Sequence, residues 1–70
     1  MALAKVRDIL RMLRRDGWHL DRQSGSHRQF RHSAKPGTVT VAGKDGVTLP
    51  HATVNSILEQ AGLTKEDLKR

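Results

Sequence analysis

The run Arg22-Gln23-Ser24-Gly25-Ser26-His27-Arg28-Gln29-Phe30 sets one histidine just after a glycine turn, between arginines, at the start of an expected strand. An imidazole takes or gives a proton near neutral pH, and guanidinium groups hold phosphate through charge-assisted hydrogen bonds. A proton-transfer group beside anion-binding groups points to chemistry on a nucleic-acid backbone. The candidates for that backbone are Arg22, Arg28, Arg31 and Lys35, with His27 as the proton carrier.

Charge supports the same class of partner. Thirteen Lys and Arg stand against seven Asp and Glu, a formal charge of +6 on 70 residues, and such a field attracts polyanions. Cation–phosphate binding weakens steeply with salt because counterions are released. Trp18 and Phe30 are the only aromatic residues apart from the histidines, so base stacking is confined to Trp18 if its ring is exposed. Capping the end of the first helix is the equally economical use of that ring.

Other chemistries fit less well. The sequence has no cysteine, which rules out a disulfide framework or a Cys-based zinc site. His19, His27, His32 and His51 match neither a helical i, i+4 pair nor a zinc-finger spacing, and a cationic field repels a divalent ion, so no metal is expected. Ser26 adjoins His27, but neighbouring strand residues point to opposite faces and share a proton poorly. The opening Met-Ala-Leu-Ala-Lys is soon interrupted by Arg7 and Asp8, which argues against a signal peptide or a membrane span and for a cytoplasmic protein.

The elements that position these residues follow from periodicity. Val6, Ile9, Leu10 and Leu13 recur at helical spacing over 4–15, with Leu3 extending the stripe and Gly17 as the cap beyond the end. Arg7, Arg11 and Arg14 align on another face of this helix. Residues 18–23 alternate as a strand with Trp18 and Leu20 inward; Ser24-Gly25 is the turn; 26–32 is a second strand. In it Arg28, Phe30 and His32 share one face, while His27, Gln29 and Arg31 share the other. Lys35-Pro36-Gly37 turns the chain into Thr38-Val39-Thr40-Val41, a third strand, and 42–50 reads as one long loop. Thr53 is the expected N-cap of a helix carrying Val54, Ile57, Leu58 and Ala61, closed by Gly62, and Thr64 to Asp67 resembles a capping box.

Too short for a second core, the chain is expected to form a single α+β domain over 1–70. Its order is α-β-β-β-α, with two helices on one face of a three-stranded antiparallel sheet. The opposite face, expected to hold His19, Asp21, Gln23, His27, Gln29, Arg31, Thr38 and Thr40, stays wet.

Asp16-Gly17-Trp18, Arg22-Gln23, Gly25-Ser26-His27, Phe30, Thr38-Val39-Thr40-Val41 and Ser56-Ile57-Leu58-Glu59-Gln60-Ala61-Gly62-Leu63 together resemble the HicA toxin family of toxin-antitoxin systems. That resemblance implies a fold similar to the double-stranded RNA-binding domain, metal-independent endoribonuclease cleavage of mRNA, and neutralisation by a cognate HicB antitoxin. It maps the family's catalytic histidine onto His27 and implies no cofactor. Members often carry a histidine near the position of Lys44, which makes Lys44 a further RNA-contact candidate. Departures at Ser33 and Ala52, where members favour proline and glycine, leave His27 untouched. The rival reading is a non-catalytic RNA-binding module that reads A-form shape through the same basic surface.

Overall fold

The computed structural model describes residues 4–69. Its elements are β1 (Ala4–Lys5), α1 (Val6–Arg15), β2 (Trp18–Ser24), β3 (His27–His32), β4 (Val39–Ala42), β5 (Thr48–Leu49), α2 (His51–Ala61) and α3 (Lys65–Lys69). Strands β2, β3 and β4 form an antiparallel sheet in that order, and α1 and α2 cover one face. The architecture is α+β, with the α-β-β-β-α order of a double-stranded RNA-binding-type fold.

One core holds the layers together. Val6, Ile9 and Leu13 from α1, Phe30 from β3, Val39 and Val41 from β4 and Val54 from α2 are essentially inaccessible, and Ala4, Leu10, Met12, Trp18, Leu49, Ile57, Leu58 and Ala61 complete the cluster. Helix α1 supplies a third of it, Val6, Ile9, Leu10 and Leu13 at i, i+3, i+4, i+7 spacing together with Met12. Leu63 and Leu68 pack against its edge. Leu3, expected to extend the α1 stripe, lies outside the described residues.

Five local features depart from the expected elements. Ala4 and Lys5 do not begin α1 but form an extended pair with Leu49 and Thr48, so the 42–50 segment contains a short strand as well as a loop. This pairing satisfies backbone groups just ahead of α1, and loop carbonyls take the first helical donors: Val6 N–H reaches Val47 O (2.9 Å) and Arg7 N–H reaches Asp45 O (3.1 Å). The second helix starts at His51 with Pro50 as its N-cap, three positions before the expected Thr53, because proline at the entry costs no helical hydrogen bond. Leu20 is 46% exposed: it faces the helix side of edge strand β2, outside the cover of the helices.

The fourth departure is in register. The β2–β3 ladder pairs Trp18 with His32, His19 with Arg31 and Leu20 with Phe30, then shifts, so that Arg22 pairs with Gln29, Gln23 with Arg28 and Ser24 with His27. Asp21 is the extra residue of a β-bulge. A shift by one residue exchanges the two faces of a strand. Arg22 and Ser24 therefore join the wet face, and Asp21 and Gln23 do not hold the alternating places that simple parity assigns them.

Closing the hairpin, Gly25-Ser26 is a two-residue turn with Gly25 at φ +58°, the glycine-first arrangement of a type II′ turn. The turn thus lies one residue later than Ser24-Gly25, and β3 starts at His27. At the C-terminal end, Gly62 (φ +67°) closes α2 with Leu63 N–H on Leu58 O at 2.9 Å. Thr64 gives its backbone N–H to the Asp67 carboxylate at 2.8 Å, one half of the expected capping box, while its hydroxyl also donates to that carboxylate (3.1 Å) and Asp67 N–H goes to the Thr64 carbonyl (3.0 Å).

Candidate nucleic-acid interface

His27 opens β3 immediately after the Gly25-Ser26 turn, paired with Ser24 on one side and Ala42 on the other. Its side chain is exposed, and among the described residues no hydrogen bond or ion pair engages the ring. Phe30, three positions on, is buried at 1%, which fixes the strand's parity and sends His27, Gln29 and Arg31 outward.

The bulge decides which cation joins them. Because Arg22 pairs with Gln29, it is the diagonal neighbour of His27 on the wet face, at a typical diagonal spacing of roughly 7–8 Å between strand positions. A guanidinium on a long flexible stem spans that interval. Arg22 and Arg31 are both exposed, and neither has a salt-bridge partner among the described residues. His19, Arg22, His27, Gln29, Arg31 and Thr40 thus form one polar surface with two imidazoles, His27 diagonal to Arg22 and His19 directly opposite Arg31.

Arg28 and Lys35 stand elsewhere. Arg28 pairs with Val41, a core residue, and therefore points away from the His27 face; its Nη2 meets Asp45 Oδ1 at 3.1 Å. Lys44 is exposed in the loop after β4, beside the Gly25-Ser26 turn and across an open depression from Arg28. Lys35 lies beyond the opposite end of β3. Its Nζ is held by the Asp16 carboxylate and donates to Ala61 O at 3.0 Å, capping the last turn of α2.

That Lys35 contact belongs to a knot built by Asp16-Gly17-Trp18. The Trp18 indole N–H donates to Asp16 Oδ2 (3.1 Å), and the His32 ring meets Trp18 edge-on at 5.2 Å between centroids. His32 Nδ1 lies within hydrogen-bond distance of both Ala34 N–H (2.9 Å) and Lys35 N–H (3.1 Å). An acceptor at Nδ1 leaves the ring proton on Nε2, which donates to Asp16 O at 2.6 Å. Asp16-Gly17-Trp18 is a legible local motif, but its partners His32, Lys35 and Ala61 lie up to 45 positions away and nothing local in the sequence joins them to it.

The knot yields an expectation about Lys35. Lys35→Met keeps the aliphatic stem but removes the ammonium, and should cost roughly 1–2 kcal/mol after discounting for partial exposure. The salt dependence of RNA binding should stay at its wild-type slope, whereas loss of a phosphate contact would reduce that slope by about 1. Thermal melting and a salt titration of binding distinguish the two roles.

Among the described residues no group of three His, Asp or Glu side chains is placed to hold a metal ion, and no helix is long and apolar enough to cross a membrane. Compared with known protein families, residues 6–63 match the family described as HicA toxin of bacterial toxin-antitoxin. No curated protein matches the chain.

Proposed function

The chain belongs to the HicA toxin family of bacterial toxin-antitoxin systems, so it is a toxin with a cognate antitoxin, and we propose that it acts as a metal-independent endoribonuclease on mRNA. The observation that carries this reading is the placement of an unengaged imidazole, His27, diagonal to a free guanidinium, Arg22, on an exposed polar sheet face. In the cytoplasm, a HicB-type antitoxin covering that face would hide substrate binding and cleavage together.

In the proposed reaction His27 takes the proton of a ribose 2′-OH as that oxygen attacks the adjacent phosphorus. The new O–P bond forms, the bond to the 5′-oxygen of the next nucleotide breaks, and the products are a 2′,3′-cyclic phosphate and a 5′-hydroxyl, the 5′-oxygen taking a proton from water while His27 returns its own to solvent. Arg22, with Arg31 further along the face, offers N–H donors to the oxygens that gain charge in the transition state. A positioned general base contributes about 10²- to 10⁴-fold and a fixed charge-stabilising donor about 10²- to 10³-fold, enough for a modest enzyme on an open surface.

The nucleophile belongs to the substrate, which gives a direct test. Purified chain freed of antitoxin, incubated with matched RNA and DNA strands in EDTA, should cut the RNA and leave the DNA intact. Cleavage of both at similar rates would rule out attack by the 2′-OH. Tight RNA binding without any cleavage would establish the binding module instead.

A further inference from the structure

Arg28 is the one strand arginine that the proposed reaction does not use, and its surroundings are unusual. The side chain is 19% exposed, and of its two terminal nitrogens only Nη2 has a partner, Asp45 Oδ1 at 3.1 Å. Nη1 is buried without an acceptor among the described residues. A buried N–H left unpaired is costly, so this seat of the guanidinium is incompletely satisfied. Asp45 covers one edge of a fork built to grip a two-oxygen anion.

The ion pair forms one wall of an open depression completed by Gly25, Ser26 and Lys44. Its frame is fixed by backbone bonds. Gly43 N–H donates to Ser26 O at 3.2 Å, Val47 N–H to Lys44 O at 3.0 Å, and Arg7 N–H to Asp45 O at 3.1 Å. The Asp45 side chain is 62% exposed, so its carboxylate can swing into solvent while the loop stays in place. Lys44 is exposed, with no ion-pair partner among the described residues. At Gly25 a Cβ would meet nothing within 4 Å, so the turn leaves open space above the depression.

We propose that this depression is a phosphate subsite, in which the Asp45 carboxylate occupies Arg28 until a nucleic-acid phosphate displaces it and is gripped by Arg28 and Lys44. Asp45 then acts as a built-in competitor that lowers affinity for backbone phosphates. The subsite adjoins the proposed reaction centre through Ser26, with His27 on one face of β3 and Arg28 on the other. A ribose-phosphate chain passing over this end of the sheet would place one phosphate near His27 and a flanking one in the depression. The proposal rests on the nuclease reading only for the identity of that chain as RNA.

A deoxyoligonucleotide, which offers phosphates but no 2′-OH, separates the subsite from cleavage. By fluorescence anisotropy at low salt, Asp45→Asn should bind it about fivefold more tightly than wild type, the scale of one partly exposed ion pair. The gain should vanish in an Arg28→Gln background and shrink in a Lys44→Gln background, the latter serving also if Arg28→Gln lowers the melting temperature. Glu66→Gln, the same charge change on α3, should leave affinity near wild type. Unchanged or weaker binding by Asp45→Asn would overturn the proposal, since Asp45 would then only neutralise Arg28. Equal tightening with and without Arg28, or by Glu66→Gln, would overturn it as a general field effect. If the Arg28-dependent gain holds while RNA is never cut, the subsite stands and the nuclease reading falls.

Discussion

His27→Ala should lower the rate of RNA cleavage by about 10²- to 10⁴-fold, the range expected for loss of a positioned general base. The folded structure should survive the change. His27 is exposed and lies at a strand end, and surface substitutions of this kind usually alter stability by no more than about 0.5 kcal/mol. Its backbone ladder to Ser24 and Ala42 does not depend on the ring. RNA affinity should fall far less than the rate, because Arg22, Arg31 and the Arg28–Lys44 side keep their charges. A rate within a few-fold of wild type, with an unchanged melting curve, would remove His27 from the reaction and send the search to the other groups of the wet face.

Gly17→Ala should produce the largest loss of stability. Gly17 has φ +100°, a conformation that costs a residue with a Cβ about 1–3 kcal/mol. The added methyl would also sit 2.9 Å from His32 Nε2, the atom that donates to Asp16 O. Relief requires the ring to move, and moving it disturbs the Nδ1 contacts with Ala34 and Lys35 and the edge contact with Trp18. Together these terms should lower the melting temperature by on the order of 10 °C, since a domain of this size shifts about 4–8 °C per kcal/mol. Below its transition the variant should still cut RNA, because the knot lies at the far end of β3 from His27. An unaltered melting temperature would show that the Asp16–His32 assembly carries little of the fold's stability. Full stability with lost cleavage would move Gly17 from scaffold to site.

These two residues show how differently sequence reports scaffold and chemistry. The α1 stripe, the alternation of Val39 with Val41 and the glycines past each long helix are local patterns, so the α-β-β-β-α order is legible in the sequence. The parity of β3 was legible too, because one large apolar residue, Phe30, fixes it. The opposite is true of β2. Its sequence alternates acceptably in either register, and only pairing against β3 reveals that Asp21 is extra and that Arg22 faces the same way as His27. Parity without the bulge puts Arg22 on the core side.

Lys35 and Arg28 were ambiguous for another reason. A lysine after a strand and an arginine within one look alike as phosphate ligands until their partners are known. The partners, Asp16 with Ala61 for Lys35 and Asp45 for Arg28, come from distant segments. The short β1–β5 ladder has no sequence signature because two residues cannot display a period, and its stability comes from closing the loop over the start of α1.

The identity of the new RNA ends tests the central claim most directly. Wild-type chain should be incubated with a defined single-stranded RNA in EDTA and the fragments analysed by mass spectrometry. The account predicts 2′,3′-cyclic phosphate, or the monophosphate it slowly hydrolyses to, at each upstream fragment and a 5′-hydroxyl at each downstream one. Fragments ending in 3′-hydroxyl and 5′-phosphate, which require attack by water on the opposite bond, would contradict it.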